Sequence, residues 1–579
     1  TIENIKRTRN EDIILSNINL DDKNAYDLLT TADTLGIFQC ESAGIRNLMK
    51  RVKIGKFEDI VAVLALYRPG PLRSGMVEDF IQSKNNKVAI KYMHESLQDV
   101  LEETYGVILY QEQVMKIVNI MANYTLGEAD ELRRAIGKKI PEIIEENRNK
   151  FVRKSVENGI DERVAQEVYR LIDKFGGYGF NKSHSAAYAL IVYWTAYFKS
   201  NYSKEFFAAV MSTEMYNIER LSLFINEAKE KGIIVHVPDV NKSNYEFTVE
   251  EDGIRFGLVA IKGIGINTVN GIIKIRNDET DGKYKSYDDF VHRVKQEGLN
   301  KKQLEALIFS GALDLLDGNR REKHHSIDKI MDWSEKKFNS EEDLQLILFG
   351  GKVHKAEDFY LEKMDEFKKI VLLNKEKEHL GVYISDHPLN AYKSLIDMID
   401  HTSLNELEQI EKRNQVNKIR LIGIISDINK ITTKASMEPM AKFKLEDFTG
   451  LIECICFPRD FVKYGYQIYD DNVVIVEGHI NNEKNKKTII TSNISNILDL
   501  EENKYLNLYI LIDEETKDFT SDLKSLIRDN KGENAVYMAI VNDEKREIIK
   551  LSDKYKVNLS KSFIGKLVKL VGTKKIRIK

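Results

Sequence analysis

Phe175-Gly-Gly-Tyr-Gly-Phe-Asn-Lys-Ser-His-Ser-Ala-Ala-Tyr188 runs a glycine-rich loop into the start of a helix. A helix start presents unpaired backbone N–H groups and the positive end of the helix dipole, so an anion is stabilised there and a lysine is not. Lys182 is best understood with an anion between it and the helix end, which makes Lys182 and His184 candidate phosphate contacts. The competing reading is a glycine turn packing a buried helix, with His184 a satisfied histidine. The loop matches neither a Walker A motif nor the dinucleotide GxGxxG pattern. Ala186 to Phe198, which follows, is the strongest apolar run, yet it carries Thr, Tyr and Trp and is shorter than the ~20 residues a membrane span requires. It reads as one helix of a long α-rich region, Asn24 to about Glu214, with apolar residues at three- and four-residue spacing.

Working outward, Thr125-Leu-Gly-Glu-Ala-Asp-Glu-Leu-Arg-Arg-Ala-Ile-Gly-Lys-Lys139 opens with the capping-box pair Thr125 and Glu128, and Gly137 is placed to end that helix. Arg133, Arg134, Lys138 and Lys139 gather in its last turns and just beyond. Cations at a C-terminus complement the dipole, but four exceed that role, and paired arginines favour bidentate phosphate contacts. In Tyr67-Arg-Pro-Gly-Pro71 two prolines fix a rigid turn and restrict the direction of Arg68, for a ligand or for a structural ion pair. Tyr110-Gln-Glu-Gln113 is a polar break before an amphipathic helix and by itself says nothing.

Downstream, Tyr216 to about Leu316 is a mixed segment with strand-like Tyr245 to Val249 and Ile254 to Leu258. There Ile261-Lys-Gly-Ile-Gly265 before a helix resembles a helix-hairpin-helix element, in which Lys262, Gly263 and Gly265 bring backbone N–H groups to a DNA phosphate; a plain interhelical turn is the alternative. Asp288 and Asp289 lack the Gly/Pro-Asp setting of a glycosylase, and that reading is rejected. Glu322 to His387 is charged and helical in pattern. Within it Gln345-Leu-Ile-Leu-Phe349 shows an apolar pair with a Gln anchor, either a partner site or a short helix docking on its own domain. After a boundary near 390 to 415 the period switches to two, and Lys418 to about Leu500 reads as a small β-barrel or sandwich. Its Lys442, Phe443, Lys444 and basic turn Lys484-Asn-Lys-Lys487, including Lys486, suit an OB barrel that binds single strands, though such barrels also dock proteins. The tail from Tyr505 mixes a strand (Leu508 to Ile512), a helix (Ser521 to Arg528), a strand (Val536 to Val541) and a basic end. The fold class is therefore multidomain α+β.

The 579 residues suit about four domains, and 42% hydrophobic against 31% charged residues excludes global disorder. Lys plus Arg number 87 and Asp plus Glu 91, so the net charge of -4 conceals any local basic surface. Three cysteines, Cys40, Cys454 and Cys456, make no disulfide framework and suit a reducing, cytoplasmic compartment. Thr1 to Arg9 has no signal-peptide pattern, and no membrane partner is expected. HExxH, GxSxG and Asp-x-Asp are absent, and the histidines show no metal-ligand spacing, so neither a metal site nor a catalytic set is expected within this chain.

Six segments in order, Gly36-Ile-Phe-Gln-Cys-Glu-Ser42, Tyr67 to Pro71, Gly106-Val-Ile-Leu-Tyr-Gln-Glu-Gln-Val-Met115, Leu132 to Lys139, Phe180 to Tyr188 and Gly381-Val-Tyr-Ile-Ser-Asp-His-Pro-Leu389, resemble the bacterial DNA polymerase III alpha subunit family. The resemblance covers essentially the whole chain and is weakest after about 505. It implies an α-helical fingers domain (1–215), a clamp-binding domain with the helix-hairpin-helix (216–400; hairpin 261–265), an OB-fold (415–500) and a C-terminal α/β domain (505–579), which in some relatives contacts the clamp loader. Gln345, Leu348 and Phe349 would be the clamp-binding peptide (345–349). Arg68, Arg133, Arg134, Lys138, Lys139, Lys182 and His184 would face the incoming dNTP and the primer-template DNA. The family's PHP and palm domains precede the fingers, so this chain is expected to be a C-terminal portion whose Mg²⁺-binding aspartates lie upstream of Thr1. A non-catalytic nucleic-acid-binding scaffold is the competing class.

Overall fold

The structure, a computed structural model, describes every residue except 86–88, 139–140, 177–179, 281, 347–357, 411–417, 434–436, 484–485, 501–505, 514–518 and 543–544. The chain forms two compact units. One is Thr1–Phe224 with Lys231–Val235 and Ser243–Gly257; the other is Leu258–Lys579 with Ile225–Glu230 and His236–Lys242.

The first unit is helical: α1 (Lys23–Thr31), α2 (Ala43–Val52), α3 (Phe57–Leu66), α4 (Gln111–Ala122), α5 (Leu126–Lys138), α6 (Pro141–Glu157), α7 (Glu162–Gly176), α8 (Lys182–Asn201) and α9 (Ser203–Glu214) are its longer elements. Local chemistry sets their starts. Asp22 accepts the Ala25 N–H ahead of α1, and Pro141 opens α6, where its missing N–H costs nothing. The capping box expected at α5 is present, with Thr125 N–H on Glu128 Oε2 at 2.8 Å and Glu128 N–H on Thr125 Oγ1 at 3.3 Å. The helix continues one residue past Gly137, to Lys138. In α8 the buried Ala189, Val192, Tyr193 and Ala196 repeat at the helical period and pack on α3 and α1. Around α4 to α7 a second core gathers Ile117, Met121, Leu132, Phe151 and Tyr169.

The second unit begins with α10 (Ile266–Glu279), α11 (Tyr287–Lys295), α12 (Lys301–Phe309), α13 (Ile327–Leu346) and α14 (Lys369–Leu380). Then β1 (Ile419–Thr432), β2 (Pro439–Glu446), β3 (Leu451–Cys456), β4 (Val473–Glu483) and β5 (Lys486–Asn496) close a barrel in the order β1-β2-β3-β5-β4, with α15 (Pro458–Tyr464) between β3 and β4. Pairing of β3 with β5 is parallel, while β1 pairs antiparallel with β4 to seal the ring. Alternation along each strand sends Leu421, Phe443, Leu445, Cys454 and Val476 inward. This is the OB-type arrangement expected from the period-two pattern.

The tail folds as β6 (Leu508–Ile512), α16 (Thr520–Asp529), β7 (Val536–Asn542), β8 (Lys545–Lys550), α17 (Lys561–Val571) and β9 (Ile576–Ile578), its sheet ordered β8-β7-β6-β9. One hydrophobic cluster joins barrel residues Ile422, Ile424 and Ile475 with tail residues Leu508, Phe563 and Ile576, so barrel and tail share a core. Among the described residues no helix is long and apolar enough to cross a membrane.

Candidate functional site

The segment Tyr110-Gln-Glu-Gln113, which by itself reads only as a polar break, contacts two cations of the first unit, Arg133 and Lys182. Gln113 is 3% exposed. Its Oε1 accepts the N–H groups of Leu109 (2.8 Å) and Tyr110 (2.9 Å), and its Nε2 donates to Val100 O (3.1 Å) and Thr104 Oγ1 (2.8 Å). All four hydrogen-bonding positions of the amide are used, which fixes the start of α4. Gln111 N–H then donates to Phe180 O at 2.9 Å, while Gln111 Oε1 accepts from Arg133 Nη1 at 3.2 Å. The Glu112 carboxylate accepts the Lys182 backbone N–H at 3.0 and 3.1 Å. An anion does sit at the start of α8, and the chain supplies it. The Lys182 ammonium lies 2.5 Å from Glu103 Oε2, and Asn181 Oδ1 caps the helix by accepting the His184 N–H at 2.8 Å.

Arg68 is exposed and extended at the entry to the short helix Pro69–Arg73. Its guanidinium lies 4.3 Å from the centroid of Phe180. From there flat groups follow one another: Phe180 and His184 at 5.5 Å, His184 and Tyr188 at 4.5 Å, Tyr188 and Phe38 at 5.6 Å. His184 and Tyr188 stand four residues apart on one face of α8.

Phe38 comes from the loop Gly36 to Ser42, which is held at both ends. Buried Lys199 donates to Asp33 O (2.9 Å), Asp33 Oδ1 (3.1 Å) and Leu35 O (2.8 Å). Arg220 grips both Glu41 oxygens at 2.9 Å, and Glu41 Oε1 also accepts the Gly36 N–H at 2.7 Å. Burial alone would raise the Glu41 pKa, but these bonds from Arg220 and Gly36 hold it below the usual carboxylate value. Gly36 has φ of 77°, and a Cβ there would meet the Phe224 ring at 3.0 Å, so only glycine fits without strain.

On α5, Arg133 and Arg134 share Asp130, each with an Nη2 to oxygen distance of 2.8 Å. Arg133, ahead of its neighbour, keeps the Asp130 carboxyl below its ordinary pKa. The Arg134 side chain is 67% exposed, against 32% for Arg133, so Arg134 is the one with surface left for a ligand. Lys150 first, then the Thr125 N–H, pull Glu128 down to about 2. The side chain of Lys138, and all of Lys139, lie outside the described residues.

In the second unit Lys262, Gly263 and Gly265 lie at the exposed hairpin before α10. Gly263 has φ of 90°, Gly265 precedes the first turn of α10 without a side-chain cap, and the Lys262 N–H is donated to His379 O at 2.8 Å. Lys442 and Lys444 point out of β2, Lys444 reaching Asp427 at 2.8 Å. Phe443 does not belong with them. It is 1% exposed inside the barrel core, because alternation turns it away from its two lysine neighbours, and it has no ring face to offer a base. Lys487 is described on β5; the side chain of Lys486 is not. Gln345 lies in α13, its side chain outside the described residues, as are Leu348 and Phe349 of the expected clamp peptide.

Residues 1–159 match the bacterial DNA polymerase III alpha subunit finger domain, 232–323 a helix-hairpin-helix motif, and 419–497 an OB-fold nucleic acid binding domain. Among curated proteins, DNA polymerase III subunit alpha of Borreliella burgdorferi is 37% identical over 559 residues, 95% of this chain and 48% of the relative. That of Bacillus subtilis is 36% identical over 577 residues (99% and 50%), and that of Buchnera aphidicola 37% over 600 (100% and 50%). The chain belongs to the bacterial DNA polymerase III alpha subunit family. It spans about half the length of the curated relatives it matches. Within this chain, the residues that tie the cation-bearing helices together are Gln111, Glu112 and Phe180. Sequence reasoning passed over the two polar ones because their partners are 22 and 70 residues away, and no local periodicity signals such a contact.

Proposed function

We propose that the intact protein is a DNA-directed DNA polymerase of DNA replication, and that this chain supplies the surface that receives the incoming dNTP and the primer-template. The observation that carries the reading is the junction of Arg133 with Gln111, and of Gln111 with Phe180, which brings Arg68, the Lys182 and His184 turn and the α5 arginines onto one scaffold within a unit whose residues 1–159 match the finger-domain family. Arg134 and Arg68 keep exposed guanidinium edges that suit a triphosphate. As the nucleotide bond forms, charge builds on the leaving pyrophosphate, and fixed cations stabilise it without reorganising. Lys182, held against Glu103 and Glu112, sets the position of the helix start, and His184 between Phe180 and Tyr188 offers a ring edge beside it.

A polymerase of this kind uses Mg²⁺ to activate the primer oxygen and neutralise phosphate charge. The carboxylates at this surface do not fit that role: Asp130, Glu103 and Glu112 are each taken by arginine, lysine or backbone N–H. We assign the ion to residues of the intact protein outside this chain. The hairpin at Gly263 and the outer lysines of β2 would hold DNA backbone, Gln345, Leu348 and Phe349 a sliding clamp, and the tail a clamp loader.

The competing scaffold reading is favoured by the closed barrel and the hairpin, which need no catalytic partner to bind DNA. One pair of assays separates the two. The chain of residues 1–579 should bind primer-template with strong salt dependence yet incorporate nothing, while the intact protein extends the primer. Absence of extension by the intact protein would leave the scaffold; incorporation by residues 1–579 alone would mean that the carboxylates lie within this chain.

A further inference from the structure

Among the described residues the sheet of the tail is covered on one face only. Leu508, Ile510, Val536 and Ile576 are buried under Phe563 and Leu567 of α17. The alternate residues form a row across all four strands on the other face: Lys550 opposite Tyr537, Tyr537 opposite Tyr509, Tyr509 opposite Arg577. The two tyrosine rings stack with centroids 4.5 Å apart and planes 9° apart. Lys550 and Arg577 are exposed at the ends of the row. The Lys579 ammonium lies 5.5 Å from the Tyr509 centroid and 3.8 Å from Asp400 Oδ2. In the next row Ile548, opposite Ala539, is 62% exposed.

A cross-strand aromatic pair contributes to sheet stability wherever it occurs. That role does not account for a cation at each end, nor for the charge of the surrounding segment. Residues 545–579 carry twelve Lys or Arg and two Asp or Glu, in a chain whose total charge is -4. Such a segment is complementary to a polyanion. An acidic protein surface would meet the charge, but only single-stranded nucleic acid offers regularly spaced phosphates together with flat bases that stack on a ring face. Three strand spacings of about 4.8 Å separate Lys550 from Arg577, the run of about four stacked nucleotides.

We propose that this open face of β8-β7-β6-β9 binds single-stranded nucleic acid, with a base on the ring face of Tyr537 that Tyr509 leaves uncovered and phosphates on Lys550 and Arg577. The proposal stands independently of the triphosphate site in the first unit. It is tested on the full chain with oligo(dT) carrying 5-bromodeoxyuridine. Irradiation should crosslink the peptide containing Tyr509 or Tyr537. Lys550→Ala with Arg577→Ala should flatten the dependence of log affinity on log salt by about 1.4, two contacts at about 0.7 each. Tyr537→Phe should keep the crosslink yield and Tyr537→Leu lower it severalfold, with unchanged thermal unfolding showing that the sheet is intact. Crosslinks confined to residues 419–497 together with an unchanged salt slope would overturn the proposal. So would poly-glutamate binding lost in the double variant while oligo(dT) binding is kept, an outcome that gives the face to an acidic protein.

Discussion

Lys199 shows how a single buried charge can shape a site it never touches. Its side chain is fully buried against the ring of Phe207, and its ammonium donates to two carbonyls and one carboxylate oxygen of Asp33 and Leu35. Three donors meet three acceptors, so the ion is satisfied without water. The loop it anchors continues into Gly36 and Phe38, and Phe38 ends the row of rings that begins at Arg68. Lys199→Met keeps the length of the side chain and strands the three acceptors. Denaturant unfolding should register a loss of about 3 kcal/mol. A loss under about 0.5 kcal/mol, within the scatter of ordinary surface substitutions, would contradict the assigned role. Phe443 teaches the reverse lesson: flanked by Lys442 and Lys444 it reads as part of a binding surface, and only strand alternation reveals that it faces the core.

At the scale of elements, the turn Gly381 to Leu389 is held by hydrogen bonds to side chains of other elements and by one buried histidine. Glu376 accepts the N–H groups of Ile384 (2.6 Å) and Ser385 (2.8 Å) and the Ser385 hydroxyl (2.6 Å), and Lys229 donates to Tyr383 O at 2.9 Å. His387 sits between the rings of Tyr383 and Phe448. Its Nδ1 accepts the Leu389 N–H at 3.2 Å, and its Nε2 is buried without a hydrogen bond among the described residues. Burial above all, then the Lys377 and Lys229 charges, push its pKa down to about 4 against the pull of Asp386. The folded state keeps His387 neutral where an unfolded chain would protonate it near pH 6.5, so stability should fall as pH drops from about 6.5 to about 4. His379, lowered by burial, acts in the same direction. His387→Phe should therefore lose less stability than the parent chain between pH 7.5 and pH 5 in urea unfolding. Equal losses would mean that His387 is already free to ionise in the folded chain.

Helices with caps and clear periodicity, such as α5 and α8, and the period-two strands of the barrel could be read from sequence because their signals are local. The tail was half legible: β6, α16 and β7 announce themselves by apolar runs, whereas β8, with Lys545, Arg546, Glu547 and Lys550 at its ends, and the three-residue β9 depend on pairing partners. The cations of the candidate site could likewise be found by their clustering. What could not be found was how Lys182 is held at rest, its ammonium on Glu103 and its backbone N–H on Glu112, since those partners lie 79 and 70 residues away; the pairs of Asp130 with Arg133 and Arg134, three and four residues along α5, are local.

For the molecule as a whole, two units are joined in one chain: a helical unit whose exposed arginines we propose for a triphosphate, and a unit whose hairpin, barrel and tail expose the cations we propose for a longer polyanion. The first of these carries the central claim, and the Arg134 side chain on α5 is 67% exposed, with Asp130 alone bound to it among the ion pairs described. The direct measurement is dNTP affinity in single-turnover extension by the intact polymerase carrying Arg134→Ala. Loss of a charged phosphate contact of about 1.5–3 kcal/mol should weaken dNTP binding roughly tenfold to a hundredfold with primer-template affinity little changed. An unaltered dNTP affinity and turnover would contradict the account.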